Sequence, residues 1–201
     1  MRWSERAPVA GPRALSLSRF LCKRCAPSLP VAHLGLVRRQ GMRVAILGNS
    51  GSGKSTLANK LSNDYSLPSL DLDTIYWEAG QVAIERKTLD READLRRFCS
   101  DHDRWVIGGC YADLIETSLS WRPELVLLHP GCEVCVQNCR NRPLEAHKYP
   151  TKAEQDHRLS FLLQWVSDYY EREGPMSLRG HLDLFERYDG AKRIVTDLNE
   201  A

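Results

Sequence analysis

Gly48-Asn49-Ser50-Gly51-Ser52-Gly53-Lys54-Ser55 decides the fold. Its spacing is G-x-x-x-x-G-K-[ST], a phosphate-binding loop. The flanking sequence agrees. Arg43-Val44-Ala45-Ile46-Leu47 precedes it as an apolar strand, and residues 54–61 open a helix. Glycines at 48, 51 and 53 let the backbone fold tightly and aim its N–H groups at one point. The helix N-terminus adds partial positive charge at the same place. Lys54 is placed to reach the β- and γ-phosphates of ATP, and the Ser55 hydroxyl to hold Mg²⁺. The nucleotide-contacting run is therefore Gly48, Asn49, Ser50, Gly51, Ser52, Gly53, Lys54, Ser55 and Thr56. A chance Gly/Ser-rich turn would lack the strand before it and the helix after it.

Working outward, the charge changes sign at Met42. Residues 1–41 hold eight basic residues against Glu5 alone, a net +7, while residues 42–201 hold 20 basic and 25 acidic residues, a net −5. The first segment is rich in Arg, Ser, Ala and Pro and has no sustained periodicity. It reads as a basic, disordered extension beside a domain at 42–201. Three origins fit it: a mitochondrial transit peptide, a disordered basic arm, or an upstream extension of a protein whose natural start is Met42. A strand that begins directly at Met42 favours the last. The expected compartment is cytoplasmic, or mitochondrial if the segment is a transit peptide. No apolar run approaches the ~20 residues a membrane span needs, so no membrane partner is expected.

The 160 residues from Met42 suit one domain with a core of its own. The seven cysteines are irregularly spaced, as free thiols in a reducing compartment would be. Cys22-Lys23-Arg24-Cys25 lacks the strand–helix context of a redox motif. Cys132, Cys135 and Cys139 stand at i, i+3 and i+7, which is one helix face. With His129 they could ligate a metal, but buried small apolar residues explain the spacing better.

Short apolar strands alternate with helices. The pattern predicts strands at 43–47, 66–70, 105–107, 125–128 and 193–196. Helices are expected at 54–63, 86–101, 111–119, 131–140, 153–172 and 177–188. Leu89, Ala93, Leu95 and Phe98 give the 86–101 helix its apolar side. Leu159, Leu162, Leu163, Val166 and Tyr169 do so for 153–172. Such alternation means an α/β fold, a parallel five-stranded sheet with helices on both faces. Ligands then bind beyond the carboxyl ends of the strands.

Two further features fall at that edge. Asp71-Leu72-Asp73 ends the second strand, and strand alternation would set both carboxylates on one side. One could hold a Mg²⁺ water and the other orient an attacking hydroxyl. The competing reading is a pair of turn-capping aspartates. The second feature is Arg140-Asn141-Arg142-Pro143-Leu144-Glu145-Ala146-His147-Lys148-Tyr149, after the fourth strand. Guanidinium groups there could neutralise a phosphoryl group in transfer, carried on a lid that closes over ATP. The competing reading is an ordinary charged helix end.

These three features together resemble the small P-loop kinases, such as adenylate kinase and shikimate kinase. "MRVAILGNSGSGKSTLANKLS" and "RWVIGGCY" look closest to the adenylate-kinase-like group labelled DNA topology modulation proteins. The resemblance covers residues 42–201. It implies a nucleoside monophosphate kinase-like P-loop NTPase that binds Mg·ATP and phosphorylates a small acceptor. By the same resemblance Asp71 supports Mg²⁺ with Ser55, Asp73 holds the acceptor hydroxyl, and Arg140 serves on the lid. Gly108-Gly109 would let the acceptor approach, and Lys192-Arg193 would lie near the adenine. Strand 3 departs from the pattern by lacking a terminal Asp. Arg86 could bind an acceptor anion, or be a solvated helix charge. Tyr76 and Trp77 could wall the acceptor pocket, or be core.

The catalytic candidates are thus Lys54, Asp73, Arg140 and Arg142, with Ser55 and Asp71 for metal. The expected partner is a nucleotide or hydroxylated metabolite. The alternative is a regulatory or nucleic-acid-associated NTPase, against which the acidic domain argues, because backbone binding needs a basic face. The acceptor and the oligomeric state stay open on sequence.

Overall fold

The structure is a computed structural model that describes residues 41–78, 84–144 and 151–197. The chain divides into Met1–Val37 and Arg38–Ala201, and the described residues all fall in the second part. Readings of residues 1–40, Cys22 and Cys25 included, lie outside them, as do His147, Lys148 and Tyr149.

Five parallel strands form the sheet: β1 (Arg43–Gly48), β2 (Ser69–Asp71), β3 (Trp105–Gly109), β4 (Glu124–Leu128) and β5 (Lys192–Val195). Their order is β2-β3-β1-β4-β5. The phosphate loop thus leaves the central strand. β1 is apolar at every position from Val44 to Leu47 because both its faces are covered. Alternation sorts its residues. Ala45 and Leu47 join Ile107, Leu125 and Leu127 on one face, while Val44 and Ile46 join Val106, Val126 and Leu128 on the other. Each fully buried Leu or Ile of these rows stabilises the fold by about 1.5–3 kcal/mol.

Helix α1 (Lys54–Tyr65) covers the second face through Leu57 and Ala58. Helices α3 (Thr88–Asp101), α4 (Ala112–Ser118) and α8 (Leu178–Arg187) cover the first through Leu95, Cys99, Leu114, Ile115 and Leu184. Helix α5 (Cys132–Arg140) packs on α7 (Leu159–Ser167), with Cys135, Cys139 and Val166 as a small core of their own. Cys135 and Cys139 thus share a buried helix face, while Cys132 is only half-buried and outside that core. No group of three or more His, Cys, Asp or Glu among the described residues could hold a metal ion.

Three expectations need correction. In α3, Leu89 is 79% exposed and Ala93 is also exposed. The buried stripe is Arg91, Leu95 and Cys99, with Phe98 beside it. A charge displaces the expected leucine because the Arg91 guanidinium lies 4.0 Å over the Tyr76 ring and also pairs with Glu85 at 3.3 Å. The helix expected at 153–172 is broken. α6 (Lys152–His157) ends at Arg158, whose N–H bonds Gln155 O at 3.2 Å, and α7 runs into a 3₁₀ turn at Asp168–Tyr170. Gln155 is buried and donates to Pro143 O at 3.0 Å, which pins α6 to the end of the preceding segment. Finally, β2 ends at Asp71, and Asp73 opens the short helix α2 (Asp73–Tyr76). Strand alternation therefore does not relate the two carboxylates.

Candidate active site at the carboxyl edge

The phosphate loop closes around Asn49. Its buried side chain donates to Val166 O at 2.8 Å, and its Oδ1 accepts the Ser50 N–H at 2.8 Å. The loop is thereby tied to α7 as well as to its own strand. Gly51 (φ +76°) and Gly53 (φ +95°) take left-handed conformations that other residues adopt at a cost. A Cβ on Gly51 would lie 2.3 Å from Cys135 O, so α5 presses directly on the loop. Asn138 reinforces that contact by donating to Gly51 O at 2.9 Å. Lys54 donates to Asn49 O at 2.7 Å, which folds its ammonium across the loop. Ser55 and Thr56 are exposed on the first turn of α1. Ser52 Oγ is buried without a hydrogen-bond partner among the described residues. A cradle of glycines, an ammonium held across it and a buried donor to spare fit a polyphosphate.

Across the sheet, Gly108 pairs with Ile46 of β1 on one side and with Asp71 of β2 on the other. A Cβ at Gly108 would meet Lys54 Cβ at 3.9 Å. Lys54 therefore overlies Gly108, and Asp71 sits one strand spacing, about 5 Å, beyond it. Asp71 is exposed, and the pair also makes a local turn. Asp71 Oδ1 accepts the Asp73 N–H at 3.0 Å, and Thr74 Oγ1 donates to Asp71 O at 2.6 Å. Gly109 does not face the crevice. A Cβ there would meet Leu72 at 2.8 Å and Tyr111 at 3.0 Å, so its small size serves packing. Of the two glycines that end β3, Gly108 is the one beside Lys54.

Asp73 receives a hydrogen bond from Tyr111 O–H at 2.6 Å, and Tyr111 in turn accepts from Trp77 Nε1 at 2.9 Å. Tyr76 stacks on Tyr111 at 3.7 Å and is buried, so of the two aromatics suggested as pocket wall, Tyr76 is core. Burial holds the Tyr111 hydroxyl well above the ordinary phenol range, and the neighbouring Cys110 and Asp73 add to the effect.

Cys110 follows at the end of β3, within electrostatic reach of Lys54, Asp73 and Arg172, and burial pushes its thiol up to about 11. Its carbonyl anchors His181, which has no exposed surface. A carbonyl only accepts, so Nε2 of His181 carries the proton (2.9 Å) and Nδ1 accepts from Tyr169 O–H (2.7 Å). Burial first, and the charges of Lys54 and Arg172 after it, hold this imidazole neutral down to about pH 4. Arg172 lies 3.6 Å over the Trp165 ring and donates to Trp165 O and Met176 O, both at 2.7 Å.

Of the two arginines expected on a lid, the structure brings Arg142 to the loop. Its Nη2 donates to Ser50 Oγ at 3.3 Å, whereas Arg140 is exposed on the last turn of α5. Arg86 is engaged by Asp94 at 2.7 Å and by Ile75 O at 3.0 Å, which makes it a structural charge. Lys192 is at the other end of the sheet from the loop. It begins β5 opposite Leu125 and donates to Tyr188 O (2.6 Å) and Phe185 O (2.8 Å) at the end of α8. Arg193 pairs with Glu124 at 3.1 Å on the same edge.

Sequence reasoning missed the roles of Tyr111 and His181. Tyr111 carried a signal, an aromatic just past the carboxyl end of β3. His181 carried none, because only the fold brings α8 to Cys110.

No curated protein matches the chain. Solved structures similar to it include a gluconokinase from Sinorhizobium meliloti 1021, at 19% identity and a TM-score of 0.47, covering 79% of this chain and 83% of that one. A shikimate kinase from Acinetobacter baumannii in complex with shikimate is 19% identical with a TM-score of 0.40, covering 72% and 91%. A shikimate kinase from Aquifex aeolicus vf5 is 18% identical with a TM-score of 0.44, covering 76% and 85%. No activity carries over to this chain from likenesses of that size. The family described as ABC transporter matches residues 32–171, a span that contains the whole phosphate loop. With the loop seated at the carboxyl end of the central strand of a parallel sheet, the chain belongs to that family of P-loop NTPases.

Proposed function

We propose that this protein transfers the γ-phosphoryl group of Mg·ATP to a hydroxyl of a small acceptor, as a kinase. One observation carries the reading: Lys54 overlies Gly108, and Gly108 pairs with Asp71 on the next strand, so a phosphate-binding cation and a carboxylate come to neighbouring positions at the carboxyl end of the sheet. The loop amides and Lys54 would hold the β- and γ-phosphates. Mg²⁺, when bound, neutralises charge on the transferring group. Ser55 and Asp71 would supply oxygen donors of the kind a hard cation takes. Asp73 would orient the acceptor hydroxyl and receive its proton as the O–P bond forms. Arg142, already on Ser50, would meet the developing charge on the phosphoryl oxygens, with Arg140 nearer the outer rim of the lid. The acceptor is a nucleotide or a hydroxylated metabolite, as adenylate kinase-like or shikimate kinase-like enzymes would take.

A second reading has its own support. Membership in the ABC transporter family fits an NTPase that couples hydrolysis to another event, such as a regulatory or nucleic-acid-associated one. ATP consumption, measured with and without a panel of nucleoside monophosphates, hydroxylated metabolites and duplex DNA, separates the two. A kinase consumes ATP well above its basal rate with one small acceptor. Stimulation by DNA alone would overturn the kinase reading.

A further inference from the structure

We propose that Tyr111, backed by Trp77, is a positioning residue that fixes the Asp73 carboxylate for the acceptor. The proposal rests on the kinase reading of Asp73 and adds a residue to it. Three observations carry it. The first is direction. Trp77 Nε1 can only donate, so the Tyr111 oxygen accepts at 2.9 Å and its own proton goes to Asp73 Oδ1 at 2.6 Å. A one-way chain runs from indole to phenol to carboxylate. The second is rigidity. Tyr111 is 2% exposed and stacked on the buried Tyr76 at 3.7 Å, 12° from parallel. Gly109 admits the ring, since a Cβ there would touch Tyr111 at 3.0 Å. The third is placement. Tyr111 lies just past β3, whose Gly108 is overlain by Lys54 and paired with Asp71. Asp73 sits on a helix of only four residues, too short to hold a carboxylate by itself. Its backbone is tied to Asp71 at 3.0 Å, and Tyr111 ties the side chain.

The chain also polarises itself. Donation from Trp77 strengthens the bond that Tyr111 gives to Asp73, since hydrogen bonds in series reinforce each other. A carboxylate fixed at one oxygen presents the other in a set direction. Reacting groups are sensitive to this, because a misplacement of about 1 Å can cost roughly 100-fold in rate.

Tyr111→Phe keeps the stacked ring and removes only the hydroxyl. Its kcat with the acceptor should fall roughly 10- to 100-fold, while KM for ATP stays within about twofold. Asp73→Asn should fall at least as far, and adding Tyr111→Phe to it should cost less than about twofold more, since the two act as one unit. An equal, multiplicative loss in the double variant would overturn the proposal. A second readout needs no turnover. The five tryptophan indole N–H groups are resolved by ¹⁵N labelling, and Trp77→Phe assigns that of Trp77. Asp73→Asn should shift this resonance when Tyr111 is intact and leave it in place when Tyr111→Phe is already present. If Asp73→Asn does not move it, or moves it equally in both backgrounds, no relay exists. A wild type with no acceptor-dependent turnover would refute the kinase reading alone, and the indole resonances would still decide the relay.

Discussion

His181 offers a quantitative test of the packing behind the site. It is fully buried, donates to Cys110 O and accepts from Tyr169, and is held neutral down to about pH 4. In the unfolded chain a histidine titrates near pH 6.5. Unfolding therefore takes up a proton anywhere between these values. Because the folded value is the lower one, the contribution is fully present above pH 6.5 and is lost as the pH falls through 6 and 5 toward 4. Integrated over that window, the loss is about 3 kcal/mol by pH 4. For a domain of this size that corresponds to a Tm shift of about 6–12 °C. Carboxylates titrate in part of the same range, so the comparison is with His181→Gln. Glutamine offers one donor and one acceptor and does not titrate. The variant should be somewhat less stable at pH 7.5, with the gap to wild type shrinking or reversing by about 3 kcal/mol at pH 4. Urea melts of both proteins at half-unit pH steps give the curves. Parallel curves across the window would refute a neutral, buried His181.

Other outcomes follow from the same geometry. Gly51→Ala should abolish ATP binding by calorimetry, because its Cβ would strike Cys135 O and its φ is +76°; normal affinity would separate the loop from α5. Gly109→Ala should lower stability by about 1–3 kcal/mol in urea melts through overpacking on Leu72 and Tyr111. Arg142→Ala should reduce acceptor-stimulated turnover much more than Arg140→Ala, with ATP affinity little changed in either; equal effects would contradict the contact of Arg142 with Ser50. Removing residues 1–41 should leave Tm and ATP affinity unaltered, since that segment has no amphipathic face to pack; a loss of several degrees would join it to the domain.

The sheet and the loop were legible in the sequence because their physics is local. An apolar run such as Val44–Leu47, then glycines at 48, 51 and 53, then a helix opening, leaves few alternatives. The places of Lys54 and Ser55 at the start of α1, set by one element, were legible for the same reason. Residues defined by two were not. Asp71 and Asp73 read as a strand pair, yet the strand ends at Asp71 and a helix of four residues begins at Asp73, which answers to Tyr111, 38 positions away. Lys192 was placed near the adenine by resemblance alone, and the structure sets it at the amino end of β5. Arg91 stands outside the apolar side expected for its helix, yet an aromatic face and a carboxylate bring it inside. Charge patterning alone could not have shown that pairing.

The most direct measurement follows the labelled γ-phosphate of [γ-³²P]ATP. With the correct acceptor, the wild type should place the label on the acceptor hydroxyl, Lys54→Ala should lose transfer by orders of magnitude, and Asp73→Asn should retain ATP binding but not transfer. Label released only as inorganic phosphate with every acceptor, at a rate indifferent to Asp73→Asn, would contradict the account.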